Sequence, residues 1–232
     1  IAYANACFFY LYTKTTIMKE LFIKQLKTNQ PVSPGEAGNL LEKQTVSNPV
    51  NIVNWKTFDY QPKVSFRIGH VQNEIWLKYD VREKHILARE TQTNGDVYKD
   101  SCVEFFISLD GKNYYNFEFS CIGTIHLAYG TGRENRRFVD AQLVEKINIE
   151  SSLGNQPFEE KTGDFEWDMV IQIPLECFAF DNLHSLSGIK ASANFYKCGE
   201  DTSIPHYITW NPIETKSPDY HRPEYFGKVF FE

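Results

Sequence analysis

Apolar and polar side chains alternate in short runs through most of this chain, and no stretch keeps a helical apolar stripe for three turns. Val64-Ser65-Phe66-Arg67-Ile68 alternates strictly, and Glu74-Ile75-Trp76-Leu77-Lys78-Tyr79-Asp80-Val81 carries an apolar face. A period of two is that of a pleated strand with one side buried. Asn94-Gly95 marks a tight turn. Asp110-Gly111 reads as a hairpin between strand-like segments at 102–109 and 114–121, and 124–129 pairs back across Ile122-Gly123. Further strands are expected at 142–149, 165–173, 189–197, 204–210 and 228–231, with one helical turn around 175–178 after Pro174. About ten antiparallel strands at this spacing predict an all-β fold, a β-sandwich with jelly-roll or Greek-key connections.

The 232 residues suffice for one sizeable core, burying roughly 70% of the unfolded surface. We expect a single sandwich domain over 49–232. Residues 18–48, with Pro31, Pro34 and Gly35, read as a loosely ordered lead-in. Residues 1–17 open without methionine and read as an upstream or fragment segment, with Met18 as a natural start; the tail of a truncated export signal is the alternative. Their apolar part is too short to span a bilayer, and no other transmembrane candidate appears. A start at Met18 points to the cytoplasm.

The aromatic share, 15%, favours half-buried pleated surfaces. A net charge of −6 without a basic stripe argues against nucleic acid as a partner. The densest basic spot, Arg133-Glu134-Asn135-Arg136-Arg137, reads as a solvated loop, with an anionic sugar or phosphate site as the sharper reading. The five cysteines (7, 102, 121, 177 and 198) lack CxxC spacing and suggest no zinc site. Buried free thiols are expected rather than a disulfide framework. Trp55, Trp76 and Trp167 read as core, and the six histidines form no metal motif. A Met/His haem site through Met169 has no support.

Two aromatic-centred stretches carry the functional reading. In Tyr98-Lys99-Asp100-Ser101-Cys102-Val103-Glu104-Phe105-Phe106, alternation puts Glu104 and Phe106 on one face, opposite Val103, Phe105 and Ile107. Glu118 alternates likewise with Phe117 and Phe119, so pairing of the two strands would set Glu104 beside Glu118. The second stretch is Trp210-Asn211-Pro212-Ile213 with Tyr220-His221-Arg222-Pro223-Glu224-Tyr225-Phe226-Gly227, where prolines stiffen a loop that presents Tyr220. Tyr225 and Phe226 read as sealing the sandwich end. A flat ring covers the C–H face of a pyranose while a carboxylate accepts from its hydroxyls, by charge-assisted bonds worth roughly 1.5–3 kcal/mol each. A mono- or oligosaccharide is therefore the expected partner.

At these residues the chain resembles the family 9 carbohydrate-binding modules over roughly 49–232. The 75–81 strand resembles the family strand that ends near an acidic residue. Tyr98–Phe106 resembles its W-x-x-D-S-V-E-hydrophobic segment, and 220–227 its W-x-x-P-x-x-F-G signature. The resemblance implies a non-catalytic sugar-binding sandwich, one that in this family can carry structural calcium and usually accompanies secreted enzymes. It puts the clamp aromatics at Tyr98 and Tyr220, the acidic contact at Glu104 and an amide contact at Asn194. Trp210 and Glu118 complete the expected ligand-binding set, with no catalytic or metal-ligating residue. Both clamp positions hold tyrosine instead of tryptophan, Glu118 stands where an arginine is expected, and Ser217 replaces an amide.

The expected affinity is micromolar to millimolar, about −8 to −4 kcal/mol. Two alternatives stay open. A glycoside-active enzyme would use Glu104 and Glu118 as a carboxylate pair, with His206 nearby. A protein-interaction domain would use Tyr220 for self-association or partner capture.

Overall fold

Phe66 and Phe195 stack at the centre of the molecule, centroids 3.7 Å apart and planes 15° from parallel. Each belongs to a different sheet, and their contact marks the plane where the two layers meet. The structure, a computed structural model, describes residues 18–28 and 31–232; the segment expected upstream at 1–17, with Cys7, lies outside them.

The described residues form fourteen strands: β1 (Glu20–Gln25), β2 (Asn48–Val50), β3 (Ile52–Val53), β4 (Lys63–Val71), β5 (Glu74–Ala88), β6 (Cys102–Ser108), β7 (Tyr114–Ser120), β8 (Ile125–Gly130), β9 (Arg137–Phe138), β10 (Asn148–Ser151), β11 (Phe158–Pro174), β12 (Lys190–Gly199), β13 (His206–Thr209) and β14 (Gly227–Phe231). One sheet runs β14-β12-β6-β7-β8-β9, with β13 also on β12 and β3 on β13; the other runs β10-β11-β5-β4, with β2 on β4. Strand β1 joins them: residues 20–23 pair parallel with β14, then Lys24 and Gln25 pair parallel with β4. All other pairings are antiparallel, so the sandwich is as expected but has more strands and one parallel seam.

Alternation fills the space between the layers. Val64, Phe66, Ile68, Leu77, Tyr79, Met169 and Ile171 from one sheet meet Val103, Phe105, Ile107, Phe117, Phe119 and Phe195 from the other, all buried. Each such side chain contributes about 1.5–3 kcal/mol by leaving water. Trp76 and Trp167 are buried as expected, and so are Cys102, Cys121, Cys177 and Cys198, all free thiols.

Three expectations are corrected. Residues 18–48 are not a loose lead-in: they supply β1 and the helix α1 (Pro34–Gln44). Ser33 caps that helix, its hydroxyl accepting from Glu36 N while the Glu36 side chain accepts from Ser33 N, and Pro34 takes the first turn, where its missing N–H costs nothing. Ala37 and Leu41 of α1 bury themselves against Leu26, Trp76 and Val170, covering the outer face of the β5/β11 sheet. The strand expected at 142–149 is instead a short helix, α2 (Ala141–Val144), capped by Asp140, followed by β10. Strand β5 runs on past Val81 to Ala88, paired with β11; Glu83 holds an inward position there as one partner of a buried ion pair, which disguises the alternation.

No helix among the described residues is long and apolar enough to cross a membrane. One outer face of the sandwich is covered by α1; the outer face of the other sheet holds the second aromatic cluster and the cavity described next.

Candidate functional site

On the outer face of the β12-β6-β7-β8 sheet, every second residue that is not in the core points the same way. Strand β6 presents Cys102, Glu104 and Phe106, and β7 presents Tyr114, Asn116 and Glu118. Register sets Glu104 opposite Glu118, Glu118 opposite His126, and Cys102 opposite Cys198. Above this floor lies a cavity of about 370 Å³, inside the range usual for small-ligand sites. Its walls come from the Val97–Lys99 turn (Tyr98), the residue after β12 (Glu200), β13 (Tyr207), the β8–β9 loop (Arg133, Arg136), β9 (Phe138) and the C-terminal loop (Asp219, Tyr220, His221).

Four of the six residues expected from sequence line this cavity: Tyr98, Glu104, Glu118 and Tyr220. Asn194 and Trp210 do not. Asn194 is fully buried, its Nδ2 donating to Asn211 O and its Oδ1 accepting from Asn211 N, so it ties β12 to the chain leaving β13. Trp210 packs edge-on against Phe66 and Phe195 in the main core. Gly227 lies against that indole: a Cβ there would stand 2.5 Å from the ring and 2.8 Å from Lys19 O, which accounts for glycine at this point of the C-terminal motif.

Tyr220 departs from its expected exposed pose. It is 7% exposed and lies flat on Tyr196, and its hydroxyl reaches Lys197 O at 3.1 Å. Tyr98 is half-buried, with Lys99 Nζ 5.9 Å from its ring. Sequence reading missed two further rings at the cavity. Phe138 is 55% exposed and meets His126 edge-on, and Tyr207 hydrogen-bonds Glu200. The signal for Phe138 was its place after Arg136-Arg137, in a segment read mainly for charge.

The basic segment splits in two. Arg136 is not part of a solvated loop: its guanidinium lies 4.2 Å over the Tyr114 ring and donates to Asn116 Oδ1, Tyr114 O, Ala128 O and Gly132 O. Those bonds shape the cavity wall and leave little for an anionic ligand. Arg133 is more exposed and stands 3.7 Å from Asp219. His206, suggested beside the site, lies elsewhere, buried against Lys197 Nζ at 2.9 Å. The histidines that do line the cavity are His126, opposite Glu118, and His221, bonded to Tyr114 Oη at 2.8 Å.

Burial governs the electrostatics. The Glu104 carboxyl is held well above the usual carboxylate range, first by desolvation and then by Cys198 and Glu118; its Oε1 accepts from Cys198 Sγ at 3.1 Å. Desolvation also raises Glu118, opposed by His126 and by the amide of Asn116, which donates to Glu118 Oε1 at 2.7 Å. The other oxygen, Glu118 Oε2, is buried and has no hydrogen-bond partner among the described residues. Buried polar atoms are as a rule hydrogen-bonded, so this oxygen is open to a donor entering the cavity.

The match to known proteins is decided over nearly the whole sandwich: the model of carbohydrate-binding family 9 matches residues 36–231. The chain belongs to this family. A candidate carbohydrate-binding protein from Bacteroides uniformis is 37% identical, with a TM-score of 0.90 over 93% of this chain and 100% of that one. A family 9 module from Caldicellulosiruptor kristjanssonii in complex with glucose is 13% identical, with a TM-score of 0.61 over 92% and 96% of the two chains. The same organism's module with cellotriose gives 0.60 at 13% identity, over 92% and 94%. At that identity the likeness shows the fold. No curated protein sequence matches the chain. Within the family 9 frame, the cavity lies on the outer face of one layer, with tyrosine and phenylalanine rings at its rim and two carboxyls at its floor.

Proposed function

We propose that this family 9 protein binds a mono- or oligosaccharide in the cavity and does not cleave it. The observation that carries the reading is Glu118 Oε2, a buried acceptor without a partner among the described residues, on the floor of a cavity walled by Tyr98, Tyr207 and Phe138. A pyranose offers the complement: apolar C–H faces for the rings and hydroxyl donors for the carboxylate. Glu104, whose carboxyl burial holds above the usual carboxylate range, would meet a sugar hydroxyl across the cavity floor. Tyr220 supports the site from beneath more than it clamps the ligand, which leaves Tyr98 and the rim rings as platforms.

The placement of the two carboxyls supports binding without hydrolysis. They are direct cross-strand neighbours, side by side on one floor. A glycosidase pair flanks the scissile bond, acid on one side and nucleophile or base on the other. The relatives with glucose and cellotriose support the choice of ligand class.

The test is ligand-observed saturation-transfer NMR with a panel of mono- and oligosaccharides on wild type, Tyr98→Ala and Glu118→Gln. Transfer to one sugar class, weakened in both variants, is the expected result. A folded wild type that is silent across the panel would overturn the reading, and steady release of reducing sugar would overturn the non-catalytic part.

A further inference from the structure

Beneath the cavity floor three donors of metal-ligand type converge. Strand β6 places Cys102 and Glu104 on the same face, two residues apart, and β12 brings Cys198 directly opposite Cys102. Their sulfur and carboxylate atoms all lie within 4.8 Å of one another, the one such group of three among the described residues. All are buried, at 0%, 2% and 1% exposure. Glu104 and Cys198 also line the cavity, so the group opens toward solvent on one side.

We propose that Cys102, Glu104 and Cys198 bind a thiophilic divalent cation of the zinc type, with the fourth coordination position facing the cavity. Ligand atoms around tetrahedral zinc stand roughly 3.3–3.8 Å apart; here all three lie within 4.8 Å of one another. The donor set selects the ion: two soft sulfurs and one carboxylate suit zinc or its spectroscopic stand-ins, whereas calcium takes oxygen alone. Three protein ligands with one open position is the arrangement of zinc sites that meet a further ligand.

Cys198 Sγ already stands 3.1 Å from Glu104 Oε1, so two of the three donor atoms are in contact. A divalent cation would bind the cysteines as thiolates and release their protons. Glu118, opposite Glu104, adds a second carboxyl with an open oxygen beside the site. The cationic Lys197 turns its ammonium to the other side of the sheet, toward Glu83 at 2.8 Å.

This inference goes beyond sugar binding, and its test uses no sugar. Reduced full-length protein is titrated with cadmium and with cobalt, followed by thiolate-to-metal charge-transfer absorption, and with zinc by calorimetry. The expected result is one ion per chain and a charge-transfer band that vanishes in Cys102→Ser/Cys198→Ser. Glu104→Gln, with both thiols intact, should weaken binding by about tenfold or more, at least the loss typical of an outer-shell partner. A folded, reduced wild type with no charge-transfer band overturns the proposal whatever the variants do. Equal zinc binding in wild type and in the double serine variant, or in Cys102→Ala/Cys198→Ala where the serines prevent folding, overturns it too.

Discussion

Tyr220 lies flat on Tyr196, ring centroids 4.1 Å apart and planes 9° from parallel. The pair closes the aromatic layer under the cavity, together with Trp55, Phe106 and Phe226. A residue that faces the cavity with one edge is therefore held as firmly as a core residue.

Tyr220→Ala should consequently destabilise the fold by about 3–5 kcal/mol, as large aromatic truncations in packed surroundings do. Tyr220→Phe removes only the hydroxyl bonds to Lys197 O and Ile208 O and should cost about 0.5–1.5 kcal/mol. Urea unfolding of both variants checks this; an unchanged midpoint for Tyr220→Ala would show that the ring is a free platform after all.

Lys197 and Glu83 form an ion pair with both side chains fully buried, and Trp167 Nε1 donates to the second Glu83 oxygen at 2.8 Å. Removing one charge leaves the other stranded, so Lys197→Met alone should cost about 3–5 kcal/mol. The double variant Lys197→Met/Glu83→Gln should recover most of that loss. A thermodynamic cycle in urea measures the coupling, and simple additivity of the single changes would contradict it.

How legible these features were depends on what decides each one. The sandwich was readable because alternation at Val64–Ile68, Glu104–Ile107 and Phe117–Phe119 is a local consequence of one buried face. The shared face of Glu104 and Glu118 followed from the same period once the two strands paired. Helix α1 hid behind Pro34 and Gly35, which punctuate loops more often than they open helices, although Ser33 and Glu36 already spelled its cap. The inner end of β5 was obscured because Glu83 finds its cation 114 positions away, in Lys197. The buried pose of Tyr220 and the structural role of Asn194 were illegible for a similar reason: what covers Tyr220 is Tyr196, and what satisfies Asn194 is Asn211, and neither contact is written in local pattern.

Phe138 offers a cleaner test of the rim than Tyr220. It is 55% exposed, so Phe138→Ala should change stability by no more than about 0.5 kcal/mol. If its ring covers a sugar face, the same change should weaken binding by about threefold to tenfold, the usual worth of an aromatic contact. Saturation transfer on the folded variant reads the effect, and undiminished transfer would remove Phe138 from the site.

His221 gives the site a pH signature whose sign is fixed by its burial. Desolvation first, then Arg136 and Arg133, pull its imidazole down to about 3 in the folded protein, where it bonds Tyr114 Oη. In the unfolded chain the same ring takes up a proton near the ordinary value of about 6.5. Between those two values the unfolded state binds the extra proton, so this histidine's contribution to stability is complete above about 6.5 and is lost progressively as the pH falls toward about 3. Groups such as Glu104, raised by burial, work in the opposite direction, so the comparison must be made against a variant that lacks only the imidazole. His221→Asn should unfold with a shallower fall in stability between neutral and about pH 4 than wild type, approaching a difference of one proton taken up per molecule unfolded. Urea midpoints measured across that range decide it: parallel curves would mean that His221 titrates alike in both states and that the cavity wall around it is open to water.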